Sequence, residues 1–129
     1  MPLKGKAPAL EHREQRALMA WAGWHEYGRP ELRLLFAIPN GGHRHPAVAG
    51  KLKAEGVKAG VPDLCLPVPK NGYHGLFIEM KAPDGRATPS QKAWQRLLTA
   101  YGYRAEVCHG FEAARKVIED YLGYHPVSG

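Results

Sequence analysis

The chain has 129 residues, 44% of them hydrophobic, which suits a single domain with one two- or three-layer core. Eighteen Lys and Arg against twelve Asp and Glu give a net charge of +6, which favours a polyanionic partner through counterion release. No stretch approaches the ~18 apolar residues of a membrane span, and the start has no apolar signal core, so an intracellular, membrane-free protein is expected. The two cysteines, Cys65 and Cys108, form no CxxC pair and read as reduced, buried thiols.

Residues 1–9, rich in Pro, Lys and Gly, read as a flexible basic arm, with one domain over 10–129. Leu10, Leu18, Trp21 and Ala22 recur at helical spacing and predict a first helix from Leu10 to about Glu26, ended by Gly28 and Pro30. Leu32 to Ile38 reads as a buried strand, closed by Pro39-Asn40-Gly41-Gly42. A basic connection follows, with a short helix over Pro46–Ala54. Val61–Val68 and Leu76–Ala82 read as two strands joined through Asn71-Gly72, a hairpin signal.

Thr88-Pro89-Ser90-Gln91 matches a capping box, and behind it Trp94, Leu97, Leu98 and Tyr101 form one stripe that stops at Gly102. Arg104–His109 alternates as a strand. Phe111–Leu122 is a last helix with Phe111, Ala114, Ile118, Tyr121 and Leu122 facing inward. The order predicts an α/β domain with helices packed on a mixed sheet.

The hairpin carries the chemistry. Alternation puts Leu76, Ile78 and Met80 on one face and Phe77, Glu79 and Lys81 on the other; Asp63 and Cys65 share the second face. Asp63 lies opposite Glu79 if the connection holds an odd number of residues or a bulge. A minimal two-residue loop pairs it with Met80 instead. Two adjacent carboxylates repel, and a hard divalent cation relieves the repulsion while leaving room for water and a phosphate oxygen. Lys81, two residues on, is placed to hold or deprotonate an attacking water and to stabilise developing charge.

Pro62-Asp63 followed by Glu79-Met80-Lys81 resembles the signature of PD-(D/E)xK nucleases. The flanking residues resemble the VRR-NUC branch, the virus-type replication and repair nucleases: Glu11, Asn40-Gly41-Gly42, Gly60-Val61-Pro62-Asp63-Leu64, Phe77-Ile78-Glu79-Met80-Lys81 and Ser90-Gln91, from about Glu11 to Leu122. The resemblance implies a restriction-endonuclease-like core, α-β-β-β-α-β plus a C-terminal helix. It also implies Mg²⁺ or Mn²⁺ held by Asp63, Glu79 and the Met80 carbonyl, with no organic cofactor. Small stand-alone members resemble phage-encoded homodimers that cut branched DNA such as four-way junctions.

Within that frame Glu11 is preferred over Glu14 as a third acidic residue, catalytic or metal-bound, because Glu11 and Gln15 match the family's spacing. For both, a helix-dipole role is an equal account. Gln91 has two readings, cap or neighbour of the lysine. Asn40, Arg44, Lys51, Lys53, Lys58 and Arg86 are candidate DNA contacts. A zinc site assembled from His43, His45, His74 and His109 is disfavoured, since none has a recognised ligand spacing. A non-catalytic DNA-binding module of the same fold, or a nuclease acting on RNA or other DNA structures, stands as the alternative.

Overall fold

The structure, a computed structural model, describes residues 6–39 and 45–124. Asn40, Gly41, Gly42, His43 and Arg44 therefore fall outside the described residues, as do residues 1–5. Helix α1 spans Lys6–His25, starting four residues before the expected Leu10. Pro8 lies in its first turn, where a missing N–H costs no helical hydrogen bond.

The segment expected as a strand over 32–38 begins inside a 3-10 turn, Pro30–Leu34, leaving a two-residue strand β1 at Phe36–Ala37. Pro30 presets the turn. Leu32 and Leu35 are buried while Leu34 and Phe36 are exposed, so the apolar spacing is the three-residue step of a 3-10 turn rather than alternation. Helix α2 then covers Pro46–Ala54, with the His45 ring accepting from the Ala47 amide at its start.

Strands β2 (Leu64–Leu66) and β3 (Leu76–Lys81) form the antiparallel hairpin. Helix α3 (Pro89–Ala100) crosses back, so β4 (Arg104–His109) pairs parallel to β3, and helix α4 (Phe111–Leu122) closes the fold. The sheet order is β1-β2-β3-β4. Strand β2 is shorter than the expected Val61–Val68 because Pro62 and Pro67, which have no N–H to give the ladder, flank it.

Leu76, Ile78 and Met80 of β3 and Leu64 and Leu66 of β2 are buried against Leu18 and Ala22 of α1 and Ala114, Ile118 and Tyr121 of α4. The buried Tyr121 hydroxyl donates to the Val68 carbonyl, so its polar end is satisfied. Helix α3 packs on the opposite face beside β4, where Tyr103 stacks edge-on against Phe77 at 5.4 Å. Two residues of the expected α3 stripe, Leu97 and Tyr101, are exposed. The packed side instead runs through Gln91, Trp94, Gln95 and Leu98, all half-buried.

No helix among the described residues is long and apolar enough to cross a membrane.

One contact fixes the distance between the hairpin and α3. Gly60 has φ +89°, and a Cβ there would lie 2.7 Å from the Ser90 carbonyl carbon at the start of α3. Trp94 Nε1 donates to the Ala59 carbonyl at 3.0 Å and fastens the same approach. Gly60→Ala is therefore expected to cost about 1–3 kcal/mol, read as a lower urea midpoint, because strained backbone and a main-chain clash add.

Candidate active site

The two-residue Asn71-Gly72 turn and a bulge both occur, at different heights of the hairpin, and together they decide between the two pairings left open by the sequence. At its tip Lys70 bridges Tyr73 around Asn71 (φ 51°) and Gly72 (φ 84°), the signs of a type I′ turn. In the ladder Leu66 pairs Leu76, so three residues of one arm (67, 68, 69) face two of the other (74, 75). The surplus residue is taken up at Pro67, where the Val68 N–H donates back to the Leu66 carbonyl at 2.9 Å, a three-residue turn. The Leu64–Ile78 pairing, continued one step, sets Asp63 opposite Glu79 rather than Met80.

The side chains agree with that register. Beyond the last ladder pair, the Met80 N–H donates to Asp63 Oδ2 at 2.7 Å, while the Ile38 N–H donates to the Asp63 carbonyl at 2.8 Å. Asp63 is thus held from both neighbouring strands. Glu79 is 3% exposed and Lys81 8%. Glu79 Oε2 accepts from Gln91 Nε2 at 3.3 Å and lies 3.9 Å from Lys81 Nζ, whereas its buried Oε1 receives no hydrogen bond from a protein donor.

Gln91 performs both roles considered for it. Its Oε1 accepts from the Thr88 amide at 2.8 Å and its own amide donates to Thr88 Oγ1 at 3.2 Å, completing the capping box. That leaves its Nε2 free to face Glu79. A single amide side chain therefore caps the start of α3 and touches Glu79.

The two helix-1 glutamates part company. Glu11 Oε2 accepts from the Ala82 N–H at 3.3 Å, one residue past Lys81, close enough for its charge to act on Glu79. Glu14 Oε1 accepts from the Phe111 N–H at 3.3 Å at the start of α4. Among the described residues no group of three or more His, Cys, Asp or Glu side chains converges as a metal set. A cation at Asp63 and Glu79 would draw its remaining ligands from main-chain and non-protein oxygens, the habit of Mg²⁺.

Of the candidate DNA contacts, Asn40 and Arg44 lie outside the described residues. Lys51, Lys53, Lys58 and Arg86 are exposed. Ion pairs elsewhere explain why these cations are left to solvent. Glu106, Glu112, Glu119 and Asp120 pair with Arg29, Arg104 and Arg115 around α4 and β4. His109, considered from the sequence only as a disfavoured zinc ligand, lies beside the site, its Nδ1 3.0 Å from the Ala82 carbonyl. Its nearness to Lys81 follows from the parallel β3–β4 register, which no local pattern encodes.

A mixed sheet whose hairpin presents Asp, Glu and Lys on one face, with a capped helix beside it, defines the PD-(D/E)xK nuclease fold class. The family model for the VRR-NUC domain matches residues 10–112, and the chain belongs to that family. A solved structure described as a VRR_NUC domain protein is similar at 34% identity and a TM-score of 0.76, over 89% of each chain. No curated protein matches the sequence significantly.

Burial, then the Asp63 hydrogen bond and charge, push the Glu79 carboxyl up to about 9 against an ordinary value of 4.5; Lys81 opposes the shift and Glu11 adds to it. In the metal-free protein the unfolded chain loses this proton near its ordinary value while the folded chain keeps it. The stabilisation is therefore complete below about pH 4.5 and is lost as pH rises toward about 9. Urea midpoints in a chelator are expected to fall across that window, and Glu79→Gln is expected to flatten the fall.

Proposed function

We propose that this protein is a Mg²⁺- or Mn²⁺-dependent endonuclease that hydrolyses DNA phosphodiester bonds, acting on branched DNA such as four-way junctions. The observation that carries the reading is the pairing of half-buried Asp63 with buried Glu79, one of whose oxygens receives no protein donor, with Lys81 on the same sheet face. Such a pair is electrostatically unfavourable by itself, and a divalent cation is the partner that satisfies it.

Asp63, Glu79 and the Met80 carbonyl would hold the ion, which when bound neutralises phosphate charge and lowers the pKa of coordinated water. Lys81 orients the attacking water and stabilises the negative charge that develops on the phosphoryl oxygens. Gln91 keeps Glu79 from rotating away, because its other end is committed to the α3 cap. Glu11 acts on the same site through the main chain of Ala82. Lys51, Lys53, Lys58 and Arg86, with Asn40 and Arg44, supply phosphate contacts.

A small protomer offers little surface for a four-way junction, and symmetric cutting needs two sites related by a two-fold axis, so the acting form is a homodimer. Light scattering is expected to give the mass of two chains at micromolar concentration. A strict monomer that still cuts junctions would overturn the dimer.

The central test incubates the protein with single-stranded, duplex, flapped and four-way DNA, in Mg²⁺, Mn²⁺ or chelator. Cutting is expected only with metal and best on branched substrates. Asp63→Ala and Lys81→Ala are each expected to lower the rate at least about 100-fold. Wild-type protein that cuts none of these with either metal would refute the assignment.

A further inference from the structure

Strand β3 ends at Lys81, and the next residue, Ala82, is held with unusual care. Ala82 is 4% exposed and opens a turn, Ala82-Pro83-Asp84-Gly85, closed by the Gly85 N–H to the Ala82 carbonyl at 2.8 Å. Its N–H belongs to the peptide shared with Lys81 and is taken by Glu11 Oε2 at 3.3 Å. Its carbonyl has a second partner, His109 Nδ1, at 3.0 Å.

A carbonyl oxygen only accepts, so the His109 Nδ1 carries the proton. Both the Nδ1–H neutral ring and the imidazolium meet that condition, so the contact does not depend on the charge of the ring. His109 pairs directly with Lys81 in the parallel ladder, which sets the imidazole on the lysine's face of the sheet. The His109 main chain is held in the parallel ladder, and two residues on the Phe111 amide donates to Glu14.

Lys81 needs such support. Its ion pair with Glu79 is 3.9 Å long, beyond hydrogen-bond reach, so no hydrogen bond to Glu79 fixes Nζ. The side chain is buried, which confines the stem, and the place of Nζ then follows the main chain from which the stem springs.

We propose that His109 is a positioning residue for the phosphodiester chemistry: through the Ala82 carbonyl it fixes the main chain at Lys81. The proposal rests on the nuclease reading above. It separates the two ring nitrogens, because Asn places its amide nitrogen near the Nδ1 position and Gln near the Nε2 position.

His109→Asn, His109→Gln and His109→Ala are compared on the metal-loaded protein; the ring is exposed, so each is expected to fold. His109→Asn is expected to keep kcat within about threefold of wild type, while Gln and Ala lose about tenfold or more, at unchanged KM and Mn²⁺ affinity. In a Lys81→Ala background, His109→Ala is expected to add no further loss.

The proposal is overturned if Ala retains wild-type kcat, if Gln is active where Asn is not, or if the Lys81 and His109 losses add. Gln retention would mark an Nε2 contact with DNA instead. Amide exchange at Gly85 gives a readout without catalysis: faster in Ala and Gln than in Asn and wild type if the histidine holds the turn, equal in all four if it does not. Wild type that cuts no DNA would refute the nuclease reading, and the exchange rates would still decide whether His109 clamps Ala82.

Discussion

Two carboxyl groups held side by side, Glu79 buried and Asp63 half-buried, are costly to ionise together, because their charges repel and Glu79 has lost its water. Everything around Asp63 and Glu79 can be understood as the means of keeping them there. Asp63 is restrained by backbone amides on both sides: the Met80 N–H donates to its side chain and the Ile38 N–H to its carbonyl. Glu79 has one oxygen on Gln91 and one that receives no protein donor, and burial with the neighbouring Asp63 raises its carboxyl far above the ordinary range. The metal-free site is a strained arrangement that the rest of the fold must support.

That support comes from helices on both faces. Helix α3 is brought in by the Gly60–Ser90 approach and by Trp94, so that its capping glutamine faces the pair. Helix α1 lies on the other face, where Leu18 and Ala22 sit in the core. Its Glu11 and Glu14 reach past β3 and β4 respectively, one accepting from Ala82 and the other from Phe111. Neighbouring parallel strands are thus gripped at the same end from one helix. The acidic surface around α4 is consumed by arginines, which leaves the exposed lysines of α2 and its following loop as net positive charge for a polyanion.

Elements whose periodicity is local were legible. Helices α2 and α4 and strand β4 have the bounds that spacing and capping predict, and the capping box of α3 is present. The expected strand over 32–38 failed because a run of apolar residues is compatible with either alternation or a three-residue step, and Pro30 with the Leu32–Leu35 spacing selects the second. The outer stripe of α3 failed for a related reason. Trp94 and Leu98 pack while Leu97 and Tyr101 do not, since the direction from which the sheet approaches is a tertiary fact.

The sequence by itself determined which side chains share a strand face, where α2, α3 and α4 begin, and the family to which Pro62-Asp63 and Glu79-Met80-Lys81 belong, because alternation, capping and motif identity are properties of neighbours along the chain. Only the tertiary structure decided the hairpin register, through a surplus residue absorbed at Pro67, and the meeting of His109 with Ala82 across a parallel ladder. It also divided the work of Glu11 and Glu14, which lie on the same first helix and meet different strand ends. These are distances between segments far apart in the chain, and they are set by packing against a shared core rather than by any local pattern.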